Sequence, residues 1–140
     1  MKRLLGWLMR RPEDDDSGLW GEREAERHLV KKGYSILGRR VRVGSRDELD
    51  LVAGDGETIV FVEVKTRKTE NYGRPAESVK RGKRHAMSRA AVRYLGRLRH
   101  RPKYVRFDVV EVVGTPRDGV RAMRHIENAF QLGAPYELPY

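Results

Sequence analysis

Cysteine is missing from this 140-residue chain. Its absence removes a disulfide framework and every thiolate zinc site, and makes a reducing, cytoplasmic setting the simplest expectation. Long hydrophobic runs are missing too. The opening MKRLLGWLMRRP sets basic residues around an apolar core of six, Leu4 to Met9, shorter than a signal-peptide core and far short of a membrane span. It reads as a tail or a surface helix, and no membrane partner is expected. The histidines His28, His85, His100 and His125 are scattered without metal-ligand spacing, so none is assigned a role. No serine has a nucleophile setting, and the glycines at 54 and 56 belong to a hairpin with no helix after it, which rules out a phosphate loop.

Acidic residues are absent over one long stretch. From Ser78 to Arg106 there are eleven Lys and Arg and no Asp or Glu, whereas the rest of the chain is close to neutral, with nineteen basic and twenty acidic residues. This segment therefore carries the whole net charge of +10. A charge of that sign, concentrated in one place, points toward a polyanion as partner.

The length suits a single domain. RPEDDDSG at 11–18 reads as a polar lead, so the domain is expected over residues 18–130, with tails at 1–17 and 131–140. A helix is predicted from Leu19 to Lys32, with Glu22, Ala25, Glu26, Leu29 and Val30 on one stripe and Gly33 as its stop. Strands are predicted at 34–43, 47–53 and 58–66, and RKTENYGRPAE after them reads as an exposed loop. A second helix from Ser78 to about Leu98 places Met87, Ala90, Ala91, Tyr94 and Leu95 inward and a ridge of Arg81, His85, Arg89, Arg93 and Arg97 outward. A strand at 104–113 and a weaker one at 120–126 close the order, helix, three strands, helix, one or two strands.

The third strand, TIVFVEVKT, is apolar except for Glu63 and Lys65, types that strands otherwise avoid. Alternation puts Phe61, Glu63 and Lys65 on one face. With Asp55 and Gly56 at the centre of a two-residue turn, Gly54 pairs with Glu57, Asp50 lies opposite Phe61, and Glu48 lies opposite Glu63. Acids gathered so closely repel unless something positive sits among them. A divalent cation answers that need. Asp50 and Glu63 suit magnesium or manganese, the backbone carbonyl of Val64 offers a third oxygen, and Lys65 is placed to hold a water or offset charge on phosphorus. The competing reading is a solvated edge in which Glu63 and Lys65 merely pair. Glu22, on the inward stripe of the first helix, adds a further acid to the constellation.

Taken in order, GLWGEREAERHLVKKGYSIL, RDELDLVAGDGETIVFVEVKTR and GRPAESVKRGKRHAMSRAAVRYL resemble the YraN-like family of small bacterial proteins. That family is assigned to the restriction-endonuclease-like PD-(D/E)xK superfamily and is similar to archaeal Holliday junction resolvases. The resemblance covers roughly residues 18 to 126. It implies an α/β fold with a restriction-endonuclease-like core, a mixed sheet flanked by helices in αβββαβ order. Asp50 matches the family's aspartate, Glu63 and Lys65 its ExK, Glu22 its first-helix glutamate, and Glu48 the acid of its usual Gly-Glu-Ile-Asp. Asp47 stands where the family has glycine, and Arg84 stands where it has glutamine after the matching Lys83.

The expected function is metal-dependent hydrolysis of structured or branched DNA by a homodimer. Asp50 and Glu63 would ligate the metal, Lys65 would assist, Glu22 and Glu48 would support, and Lys83, Arg84, Arg89 and Arg93 would hold the nucleic-acid backbone with little base specificity. The alternative is a non-catalytic nucleic-acid-binding accessory protein that has kept the fold. A third reading, RNA binding, rests on charge alone.

Overall fold

The first helix, α1 (Pro12–Lys31), starts well ahead of Leu19. A proline in the first turn gives up no hydrogen bond, and the acids that follow it in sequence suit the positive end of a helix dipole, so a stretch that looks like a flexible lead is also a good helix start. The structure, a computed structural model, describes residues 12–69 and 79–140, with side chains from Ser17 onward. The basic and apolar opening segment, and Tyr72, Gly73 and Arg74 in the expected loop, lie outside the described residues. α1 ends where Gly33 takes φ +95 and the N–H of Tyr34 donates to the carbonyl of Leu29 at 3.0 Å, the left-handed stop expected of a glycine there.

Five strands follow, β1 (Ser35–Val43), β2 (Asp47–Asp55), β3 (Thr58–Arg67), β4 (Tyr104–Thr115) and β5 (Gly119–Phe130), with α2 (Arg81–Gly96) between β3 and β4. They form one sheet in sequential order. β1 to β3 make an antiparallel meander, α2 carries the chain across so that β4 runs parallel to β3, and β5 returns antiparallel. The fold is α/β, a mixed sheet flanked by helices. The weak closing strand expected at 120–126 is a full edge strand, because Gly119 (φ +84) turns the chain tightly enough to pair β5 along β4.

Each face of the sheet is covered by one helix. Ala25 and Leu29 of α1 pack with Leu51, Ala53, Val60, Val62, Val110 and Val112, while Met87, Ala90, Ala91 and Leu95 of α2 pack with Val52, Phe61, Phe107 and Val109. The alternating strands supply both sets, and each fully buried Val, Leu or Phe stabilises the fold by about 1.5–3 kcal/mol. Beyond β5 the chain lies against α2. The N–H of Gly133 donates to Ser88 Oγ at 3.0 Å, and the Tyr136 hydroxyl meets His85 Nε2 at 3.1 Å.

The turn between β2 and β3 departs from expectation. Asp55 pairs with Thr58 across Gly56 and Glu57, so Gly54 faces Ile59 and Val52 faces Phe61. Gly56 takes φ +58 at the first turn position, and the conformation only glycine adopts readily decides the register over the Asp-Gly pair. Asp50 is therefore not opposite Phe61, nor Glu48 opposite Glu63. A slip of two residues alone leaves every side chain on its face, but Leu49 packs with the α2 cluster and Leu51 with the α1 cluster, so Glu48 does not share the face of Glu63.

Candidate active site

β2 and β3 part company at the acids. Their ladder ends at Leu51 and Val62, and beyond it the carboxylate of Asp50 accepts the backbone N–H of Val64 at 2.9 Å. A side chain thus takes the place of a ladder carbonyl. On the other side of β2, the pairing with β1 passes from Arg39 and Leu51 to Val41 and Leu49. The intervening Arg40 has φ +44, which long side chains seldom adopt. The kink changes which face the strand presents. Leu51 packs under α1, whereas Leu49, two residues earlier, packs with the α2 cluster.

Glu63 sits in this fork, 5% exposed. Burial raises its pKa, and the charge of Asp50 and a hydrogen bond shared with Asp50 push it further, to about 7, against the pull of two lysines. Lys65 Nζ, on the same strand, lies 3.5 Å from one carboxylate oxygen, and Lys83 Nζ, from the start of α2, lies 3.5 Å from the other. Burial, the largest cause, outweighs the pull of both lysines, so the net shift is upward.

Glu22 reaches the same place from α1. Its pKa is raised, first by burial and then by the charges of Asp50 and Glu48, against a 2.9 Å ion pair with Arg40. Glu48 itself is exposed and pairs in register with Arg42. The fold therefore brings Glu22, Glu48, Asp50, Glu63 and Lys65 into one neighbourhood, with Glu48 on the Glu22 side of the fork. Among the described residues no three His, Asp or Glu side chains converge as a ready-made metal cage. The tight unit is the pair Asp50 and Glu63.

A family model described as Uncharacterised protein family UPF0102 matches residues 21–112, about two thirds of the chain. The chain belongs to UPF0102. Its similarity extends to a UPF0102 protein of Symbiobacterium thermophilum, 48% identical over 110 residues that cover 79% of this chain and 92% of the relative. A UPF0102 protein of Chlorobaculum tepidum is 44% identical over 121 residues, 83% of this chain and 92% of the relative. One of Frankia casuarinae is 44% identical over 116 residues, 83% and 97% respectively. The matched span runs from Gly21, beside Glu22, through the fork and α2 into β4.

In this UPF0102 chain the basic helix is less open than its sequence suggests. Lys83 turns inward to Glu63. The Arg84 guanidinium donates from Nε to the carbonyl of Val79 at 2.9 Å and lies over the Phe130 ring. Arg89 grips Asp47 with two hydrogen bonds, 2.8 and 2.7 Å, and this grip, first among the causes, holds the Asp47 carboxyl below the usual carboxylate range. Asp47 is 7% exposed, so the residue that replaces the expected glycine ties β2 to α2 and is not a further acid of the fork. Arg93 is exposed and its guanidinium crowds Gly44.

Two buried acids escaped the sequence reading of the UPF0102 chain. Glu111, 2% exposed, stands beside Lys65 in the parallel ladder and pairs with Arg124 at 2.6 Å and Arg67 at 3.2 Å. Asp108, fully buried, is bound by Arg106, by His125 Nε2 at 2.7 Å and by the N–H of Asn128 at 3.0 Å. The signal was present in YVRFDVVEVV, where acids interrupt a valine run as Glu63 does in β3. Membrane insertion finds no support in the helices: none in the described residues is long and apolar enough to cross a bilayer.

Proposed function

We propose that this chain is a metal-dependent endodeoxyribonuclease acting on structured or branched DNA. One observation carries the reading: Glu63, buried in the sheet, lies within reach of the Asp50 charge and has lysine ammonium groups at 3.5 Å on two sides. A salt-bridged sheet edge is solvated, and this glutamate is not. The resemblance of the Asp and ExK positions to PD-(D/E)xK nucleases supports the same conclusion.

Magnesium or manganese fits that donor set, because such ions need only one or two carboxylates when water and phosphate oxygens complete the shell. Asp50 and Glu63 would hold the ion, with the Val64 carbonyl as a third oxygen, and the ion would supply Lewis-acid polarisation and an acidified water. The remaining work falls to the chain itself. Lys65 holds the attacking water and offsets the charge that builds on phosphorus. Lys83 keeps the Glu63 carboxylate oriented from α2. Glu22 and Glu48 raise the negative potential on the α1 side, and Asp50, anchored on the N–H of Val64, fixes the spacing of the pair.

The test is cleavage of end-labelled four-way junction, flap, single-stranded and duplex DNA with magnesium or manganese. Wild type should cut at least one of them, and Glu63→Ala should bind without cutting. Salt-sensitive binding with no cleavage under either metal overturns the nuclease reading in favour of the accessory-protein alternative. Light scattering on the same sample tests the homodimer that the resemblance to junction resolvases implies.

A further inference from the structure

We propose that DNA reaches the fork through the groove between α1 and the β1 edge, with Arg40 as the phosphate-contacting residue nearest Asp50. The inference deepens the reading above and rests on its DNA-binding part. A cavity of about 300 Å³ opens there, and its lining includes Glu22, Arg23, Arg39, Arg40 and Asp50. It is therefore continuous with the carboxylates, on the side opposite Lys83.

Two observations single out Arg40. Its backbone is held at φ +44 where the β1 ladder skips a pair, and a non-glycine residue keeps such a conformation only when its surroundings over-determine it. Its side chain lines the cavity while remaining 48% exposed. Arg40 donates through Nε to Glu22 at 2.9 Å. A guanidinium carries five donors in a planar fork, so that contact is compatible with a second one to a phosphodiester oxygen.

The rival route along α2 is committed only in part. Lys83, Arg84 and Arg89 are engaged by Glu63, the Val79 carbonyl and Asp47, while Arg81, Arg93 and Arg97 are exposed. Arg89 is only 17% exposed in its pair with Asp47, whereas Arg40 is 48% exposed in its pair with Glu22 and leaves more of its guanidinium open to a phosphate oxygen.

The experiment is fluorescence anisotropy of labelled junction and duplex DNA with the full chain in EDTA, across a salt series, so that binding is read without cleavage. Arg40→Asn removes the charge, and asparagine tolerates the left-handed backbone; Arg40→Gln removes it at similar length, and Arg40→Lys keeps it. Neutral variants should lower the slope of log affinity against log salt by about 1. Arg40→Lys should retain the wild-type slope, and Arg97→Ala, on the exposed end of α2, should leave it unchanged. An unchanged slope in both neutral variants, or a fall in Arg97→Ala as large as theirs, overturns the groove. A wild type that cuts DNA in a parallel magnesium assay while Arg40 proves indifferent leaves the nuclease reading standing. A wild type that binds none of these DNAs overturns both.

Discussion

Asp50 Oδ2 accepts the N–H of Val64 at 2.9 Å, and with that bond the side chain of one strand completes the hydrogen bonding of the next. The same carboxylate that faces Glu63 is thus part of the sheet. Asp50→Asn keeps an acceptor oxygen and should fold as wild type does. Asp50→Ala strands the Val64 N–H and should lose about 1–3 kcal/mol of stability. Both should lose metal-dependent cleavage. Equal urea midpoints for Asp50→Ala and wild type would remove the structural half of this account.

Glu63 binds its proton more tightly folded than unfolded. Its pKa rises from 4.5 to about 7, so the unfolded state releases the proton first, and stability falls as pH rises through that window. The metal-free chain should lose on the order of 3 kcal/mol across it. Glu63→Gln has no proton to lose and should show a flatter profile, overtaking wild type near neutral pH. Urea denaturation of both at a series of pH values decides the matter, and parallel profiles sink the prediction.

Asp47 and Arg89 form a two-bond pair between β2 and α2. Asp47→Ala and Arg89→Ala should each destabilise, and the double variant should lose less than the sum of the two, since either single change leaves a partner unpaired. Additive losses in thermal melts would show that the pair contributes no coupling. Because Arg89 is only 17% exposed in its pair with Asp47, Arg89→Ala should barely alter the salt slope of DNA binding.

Asp108 is fully buried, and although burial raises its pKa, the bonds from His125, Arg106 and the Asn128 N–H outweigh it and hold the carboxyl below its ordinary 3.8. A lowered folded pKa means stability that is present above the unfolded value and drains away as pH falls through the folded one. Wild type should therefore lose stability on acidification below about pH 4, and Asp108→Asn should lack that acid limb. Asp108→Ala should cost about 3–5 kcal/mol at neutral pH by stripping the Arg106 guanidinium and the buried His125 ring of the carboxylate they share. A neutral-pH midpoint equal to wild type would show that the network is dispensable.

Much of the fold was legible because strands and helices write their burial as periods of two and about 3.6 residues. VFVEVK showed a strand whose charges share a face, and Met87, Ala90, Ala91 and Leu95 showed the inward side of α2. The hairpin register was not legible, because Asp55-Gly56 and Gly56-Glu57 both offer a turn and only the packed sheet selects between them. The helical start at Pro12 was hidden for a related reason: acids and a proline are as typical of a loop as of a first turn.

By itself the sequence determined the order of elements, the shared face of Glu63 and Lys65, and the candidacy of Asp50 and Glu22, since all of these follow from local alternation and spacing. Tertiary structure alone decided which charges are spent. Arg89 pairs with a residue of β2, Lys83 with one of β3, Asp108 with Arg106 of β4 and His125 of β5, and Arg40 turns toward Glu22 through a backbone kink. An ion pair depends on a few ångströms between residues distant in the chain, and no local period records that distance.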